Sequence, residues 1–365
     1  MNQHSTVHRY RRVGGRAARL TLAATATAAM VLGMAGMGAA SAAADTVIDT
    51  VPVGIAPLGV AVTPDGAFAY VANGGAGTVS VIDTGTNMVV GPPIPVGAVP
   101  QGVAITPDGT RAYIVNNVAG TVSVIDTGTN TVIGTVPVGI APRGVAITPD
   151  GAFAYVANGG AGTVSVIDTG TNMVVDTIPV GNDPIGVAVT PDGSHAYVAR
   201  GLAGTVSVID TGTNLVVGPP IMVGAAPFGV AITPDGSRVY VTNFGDGSVS
   251  VIETGTNTVV GLPIMVGALP QGVAITPDGS RVYVTNQSDG TVSVIDTGTN
   301  TVVETVAVGA SPVGVAITPD GSRAYVTNSG GNTVSVIAIE KCTGSLCLDF
   351  GSGTGSGSGW GSFFS

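Results

Sequence analysis

His195 is the one histidine beyond the first dozen residues of this 365-residue chain, and in the stretch TPDGSHAYVAR it stands five positions before Arg200. An imidazole moves protons near neutral pH, and a guanidinium binds carboxylate or phosphate, so this pair is the first place to look for catalysis. In an extended strand, five residues at about 3.3 Å each hold them about 16 Å apart. They serve no common reaction. Carboxylates are more numerous: seven TPDG phrases each carry an aspartate, and six D/E-TGTN phrases begin with an acid, Glu253 replacing Asp in the fifth. All of these sit at turn positions, where a short acidic side chain closes a hydrogen bond onto its own backbone. Asp246 and Asp289, in the loops FGDG and QSDG, are the better-placed metal candidates, but calcium wants about six to eight oxygens and no metal site is expected. There is no GxSxG elbow and no further histidine past the leader to serve as base, so the chain lacks the parts of an activated nucleophile and no catalytic residue is expected.

The chain ends account for much of the remaining chemistry. Residues 1–44 carry Arg9, Arg11, Arg12, Arg16 and Arg19, then the apolar run LTLAATATAAMVLGMAGMGAA, then SAAA before Asp45. A basic, then apolar, then small-residue order describes a secretory signal peptide, and the Arg11–Arg12 pair leaves both Sec and twin-arginine export open. The first 44 positions hold five of the twelve basic residues and none of the 22 acidic ones, which leaves the remainder at −15. So acidic a chain repels phosphate, which makes nucleic acid and anionic lipid poor partners, and no nucleic acid is expected. No later segment has the hydropathy of a membrane span. Cys342 and Cys347, the only cysteines, lie in CTGSLC within residues 341–365; in an oxidising compartment a short-loop disulfide is expected. The Gly/Ser-rich end of that tail is expected to be disordered.

The middle, residues 45–340, is a repeat. TPDG begins at Thr63, Thr106, Thr148, Thr190, Thr233, Thr276 and Thr318, spaced by 42 or 43 residues, and a tyrosine follows each threonine by seven positions. Two units, Val51 to Val90 and Val136 to Val175, differ only at Leu58/Arg143 and Val62/Ile147. Each unit divides into GVAIT, a PDG turn, a segment such as RVYVT, a Gly/Asn loop, TVSVI, the DTGTN turn and a last apolar piece. Short β-branched runs bounded by turn residues are strands. Four antiparallel strands per unit of this length make one propeller blade. The expected fold is all-β, a seven-bladed β-propeller of four-stranded antiparallel blades. In PDG the glycine accepts the left-handed conformation; in DTGTN the central glycine is expected to do so.

The array ends are complementary. The seventh unit stops after TVSVIAIE without a fourth strand, while Thr46 to Gly54 resembles a fourth strand with no blade of its own. Thr46 to Pro52 is therefore expected to complete the last blade and close the ring, which removes open edges. With the first strand of each unit innermost, TPDG and DTGTN share one nearly uniform face. The other face varies: before GVA stand Leu58, Gln101, Arg143, Ile185, Phe228, Gln271 and Val313. Recognition needs differentiated side chains, so a site belongs on this face near the central channel. The candidate binding residues are Gln101, Arg143, Asp183, Arg200, Phe228 and Gln271. His195 falls at the uniform face; Arg200 replaces the asparagine of other units, with Asp183 of its own blade as the expected counter-ion.

The phrases YVTN at Tyr240, Tyr283 and Tyr325 and YVAN at Tyr70 and Tyr155, inside TPDG…TVSVIDT units, resemble the YVTN-type β-propeller repeats of surface-layer and secreted proteins. The resemblance spans Thr46 to about Ile339. It implies a propeller outside the cell, secreted or surface-associated, acting as a non-catalytic binding or surface-layer-like protein. Related propellers include lactonase-like hydrolases, the alternative reading. The family's repeat residues are structural, so none carries a catalytic role onto this chain. A protein or a cell-envelope glycan is the expected partner, and no cofactor is expected.

Overall fold

A computed structural model describes residues 44–340; residues 1–43, where a signal peptide is expected, and residues 341–365, with the expected Cys342–Cys347 disulfide, lie outside the described residues. Each repeat unit forms one antiparallel sheet, and there are seven. The inner strands are Pro57–Val62, Pro100–Ile105, Pro142–Ile147, Pro184–Val189, Pro227–Ile232, Pro270–Ile275 and Pro312–Ile317, and they open blades 1 to 7 in that order. Each packs beside the inner strand of the next blade, and the seventh beside the first. They enclose a central channel.

The turns show why the sequence repeats. In TPDG of blade 1, Gly66 has φ +75°, and the Asp65 carboxylate accepts from the Thr63 hydroxyl at 2.5 Å and the Ala67 N–H at 2.9 Å. In DTGTN the Asp83 carboxylate accepts from the Thr86 N–H at 2.8 Å and its hydroxyl at 2.9 Å. The left-handed residue of this turn is the asparagine, Asn87 at φ 55°, and not the central glycine. Asparagine tolerates that conformation and also brings an acceptor. The Tyr70 hydroxyl donates to Asn130 Oδ1 at 2.6 Å, Tyr113 to Asn172 at 2.7 Å and Tyr155 to Asn214 at 2.7 Å. Six of the seven tyrosines thus reach the DTGTN turn of the following blade, and every one of the seven rings is buried. Burial pushes the Tyr70, Tyr155 and Tyr197 hydroxyls up to about 12, so the latches remain protonated donors at any ordinary pH.

Hydrophobic packing follows the same geometry. Middle strands such as Phe68–Asn73 and Thr78–Asp83 are buried on both faces, and each core cluster joins neighbouring blades: Tyr70, Val79 and Val81 pack with Ala112, Ile114 and Ile125. The outer strand departs from the simple expectation in two blades. It breaks into Met88–Val89 and Ile94–Pro95 in blade 1, and into Thr258–Val259 and Ile264–Met265 in blade 5. These units carry the extra residue as GPP or GLP, with Gly91 and Gly261 at positive φ, and proline has no N–H to continue a ladder; blade 4 carries GPP as well, with Gly218 at φ 67°, yet its outer strand Leu215–Met222 is continuous, so the insertion alone does not decide the break.

Ring closure is as expected. Thr46–Pro52 pairs antiparallel with Thr333–Ala338 and completes the last blade. One residue earlier, Asp45 takes the place of the missing turn asparagine. Its carboxylate accepts from the Tyr283 hydroxyl and, at 2.9 Å, from the Glu340 N–H, and pairs with Arg281 Nη1 at 3.3 Å.

The turn carboxylates also set an acid limit. Hydrogen bonds from the Thr63, Thr106 and Thr148 hydroxyls hold Asp65, Asp108 and Asp150 below the usual carboxylate range, and the Thr190 hydroxyl first, then the Ser194 backbone and hydroxyl, bring Asp192 to about 2. Folded values below unfolded ones give stability that is present above the unfolded pKa of about 3.9 and lost as pH falls through the folded values. The melting temperature is expected to hold from neutral pH to about pH 5 and to fall steeply between about pH 4 and 2. A pH series of thermal unfolding checks this; a flat profile through that window contradicts it.

Candidate functional site

The inner strand begins Pro-X-Gly, and a bulge between Pro57 and Val60 and its counterparts takes X and Gly out of the regular ladder. The X residues thereby face the channel. Glycine is required after them because a side chain would collide with the next blade: a Cβ on Gly59 would lie 2.1 Å from the Gln101 carbonyl oxygen, one on Gly186 2.3 Å from that of Phe228, and one on Gly314 2.4 Å from that of Leu58. In the YVTN blades the threonine adds a bridge. Thr242 accepts the Gly229 N–H at 2.7 Å and donates to the Gln271 carbonyl at 2.8 Å, and Thr285 and Thr327 bridge likewise to Val313 and Leu58. Blades 1 to 4 have Ala72, Val115, Ala157 and Ala199 there, so the hydroxyl bridges fix one arc of the ring only.

At the mouth of the channel lies a cavity of about 430 Å³, lined by Leu58, Gln101, Arg143, Ile185, Phe228, Gln271, Val313, the glycines and valines that follow them, and Gln287. Its volume falls in the range of small-ligand sites, about 300–1,000 Å³. Four of the six candidates, Gln101, Arg143, Phe228 and Gln271, meet there. Asp183 stands one step out: its carboxylate lies 3.4 Å from Arg143 Nη1, across the boundary between blades 3 and 4. This corrects the expected pairing of Asp183 with Arg200. Asp183 has φ 53°, a left-handed turn that directs it toward Gly159 of the preceding blade as well as Gly201 of its own. Phe228 is backed by Phe244 from the loop of the same blade, ring centroids 6.2 Å apart and tilted by 31°. Gln287 joins from the loop after the second strand of blade 6, a contribution that strand periodicity alone does not mark.

Arg200 lies away from this cavity. In five other blades the residue at its position is an asparagine whose Oδ1 accepts an N–H from the glycine that follows the preceding outer strand, as Asn73 does from Gly54 at 3.1 Å. Arginine cannot reproduce that link. Its guanidinium lies against Gly181, which has moved to φ 100°; its buried Nε has no partner, and neither has the Thr205 hydroxyl. His195 sits at the opposite end of the same strand, its Nδ1 2.7 Å from the Ser194 hydroxyl. Asp246 and Asp289 accept the N–H groups of Ala225 at 2.5 Å and Ala268 at 2.7 Å, each bracing its own loop. Among the described residues no three His, Cys, Asp or Glu side chains come together as a metal centre would require, and no helix is long and apolar enough to cross a membrane. A second cleft, of about 240 Å³, lies on the uniform face between blades 5 and 6, where Asp235 and Arg238 are already engaged with Ser237 and the Thr297 carbonyl.

A closed ring of seven blades with one differentiated channel mouth is the architecture of a seven-bladed β-propeller protein. Comparison with known proteins agrees at that level. Residues 179–302, which run from just before blade 4 to the start of the outer strand of blade 6, match the family model described as lactonase, 7-bladed beta-propeller. A chain from the Kuenenia stuttgartiensis hydrazine synthase structure is similar at 27% identity with a TM-score of 0.72, over 78% of this chain and 96% of that one. No curated protein sequence matches.

Proposed function

We propose that this protein is an exported, surface-layer-like propeller of the YVTN type, which presents its channel mouth to a cell-envelope glycan or a protein and performs no catalysis. One observation carries the reading: the side chains around the mouth are neutral amides, apolar groups and a single guanidinium, with no acid, imidazole, thiol or hydroxyl among the lining residues. Amides and a guanidinium bind sugar hydroxyls and carboxylates, and an aromatic ring gives a stacking surface. Nothing in that set activates a nucleophile or shuttles a proton. The leader-like residues 1–44 support export, and the acidity of the remainder supports a partner that is not a polyanion.

The near-identity of blades 1 and 3 supplies the test. Arg143 has Leu58 as its counterpart, so Arg143→Leu installs a residue that the same backbone already carries. On a panel of envelope glycans and cell-wall fractions, wild type is expected to bind at least one component, and Arg143→Leu and Phe228→Ala to weaken it by about tenfold or more, as expected for central contact residues, with the fold unchanged. Equal binding by Arg143→Leu and Phe228→Ala would remove the mouth as the site. The family match over blades 4 to 6 favours a second reading, a lactonase-like hydrolase. Turnover of lactones or esters in a screen with added divalent cations would establish that reading in place of the first.

A further inference from the structure

The cluster around Asp45 is one positive charge short. The Asp45 side chain is 0% exposed and is surrounded by Arg281, Tyr283 and the Glu340 N–H. The backbone N–H of Asp45 donates to the carboxylate of Glu304, in the outer strand Thr301–Ala307 of blade 6. Two carboxylates are thus accompanied by a single guanidinium, Arg281, which pairs with Asp45. Glu304 is also unlike its counterparts. Asp49 and Asp176 occupy its position in other outer strands and turn onto the next N–H, of Thr50 and Thr177, at 2.7 Å. The longer glutamate instead reaches across to blade 7, although burial first and the charge of Asp45 second oppose its ionisation. Ala44, immediately before the buried Asp45, is exposed.

We propose that proteolytic cleavage between Ala44 and Asp45 supplies the missing cation: the new α-ammonium of Asp45 pairs with Glu304 and locks the last blade. Water adds across the peptide bond, its oxygen leaving with the Ala44 carboxylate and the nitrogen taking the protons. One N–H donor becomes three, with a positive charge, at an acceptor already aimed at that nitrogen. Small residues at Ala42 and Ala44 are those a signal peptidase requires. Once the ring has closed, Asp45 is enclosed, so cleavage precedes closure. The proposal rests on reading residues 1–44 as an export leader, and the test separates the two.

The full precursor carrying Lys341→Arg is expressed in an exporting host. Lys341 is the only lysine, so the secreted product has one amine, its N-terminus. Intact mass is expected to show a chain starting at Asp45. Acetylation of that amine is expected to run at least about tenfold slower in the folded protein than in denaturant, the loss of free amine that a one-unit rise in pKa brings. Adding Glu304→Gln should restore much of the rate. A secreted product with a different first residue overturns the cleavage site and leaves export standing; a precursor that stays unexported and uncut overturns both. A chain that starts at Asp45 but acetylates equally fast folded and unfolded overturns the ion pair, and this comparison holds even if Glu304→Gln fails to fold.

Discussion

Deletion of Asp45–Gly54 is expected to abolish cooperative thermal unfolding of the monomer or to convert it into oligomers. The segment supplies the whole outer strand of blade 7, six paired positions along Thr333–Ala338, so its loss exposes an unpaired edge that invites association. Val51, 3% exposed in the core cluster with Val334 and Val336, leaves with it. Asp45 leaves too, and the buried Tyr283 and the partly buried Arg281 lose their acceptor, a change that costs about 3–5 kcal/mol for one broken buried pair. Added to the ladder hydrogen bonds at about 1 kcal/mol each, the loss rivals the entire net stability of a domain, about 5–15 kcal/mol. Sizing chromatography and calorimetry check the outcome; a monomer with an unchanged melting curve would show that the strand is dispensable.

Gly186→Ala is expected to lower the melting temperature by several degrees, while Gly255→Ala leaves it nearly unchanged. Both exchanges add one methyl group to a glycine with negative φ. At Gly186 that group would lie 2.3 Å from the Phe228 carbonyl oxygen and 3.3 Å from the Gly229 Cα, both backbone; at Gly255 it meets nothing within 4 Å. Backbone cannot swing aside as a flexible side chain does, so blades 4 and 5 must move apart at the axis. Overpacking of this kind costs about 1–3 kcal/mol, and at about 2–4 °C per kcal/mol for a domain of this size the shift is easily measured. Equal melting temperatures for the two variants would mean that the channel wall yields at no cost.

The fold was legible in the sequence because its determinants are local. TPDG and DTGTN encode their own turns, the TVSVI strands encode their burial, and the unmatched strand at Thr46 pointed to the incomplete blade at Thr333. The ring of X residues before Gly-Val was legible for the same reason: one position, repeated, facing one way. What was not legible depends on how far a side chain reaches between blades. That asparagine, with its side-chain acceptor, takes the positive-φ place at residue 87 and its counterparts reflects the tyrosine of the preceding blade, which no single unit reveals. Asp183 looked like a partner for Arg200 because both belong to one unit, yet its left-handed backbone places the carboxylate beside Arg143. Asp45 carried no motif at all, since it acts by standing in for an asparagine that blade 7 lacks.

The tyrosine latch gives every unit a plug for the next unit and every unit but the last a socket for the previous one. Plug and socket lie in different parts of the same repeat, Tyr113 in a strand and Asn130 in the DTGTN turn of blade 2, so Asn130 receives Tyr70 while Tyr113 enters Asn172. Excising one complete internal unit would therefore leave each surviving plug facing a socket, and inserting one would do the same. Interlocking parts place no limit on how many units can be chained. The limit is angular, set at the axis by how closely glycine lets neighbouring inner strands approach, and the circle must return to the one socket that no repeat contains, Asp45.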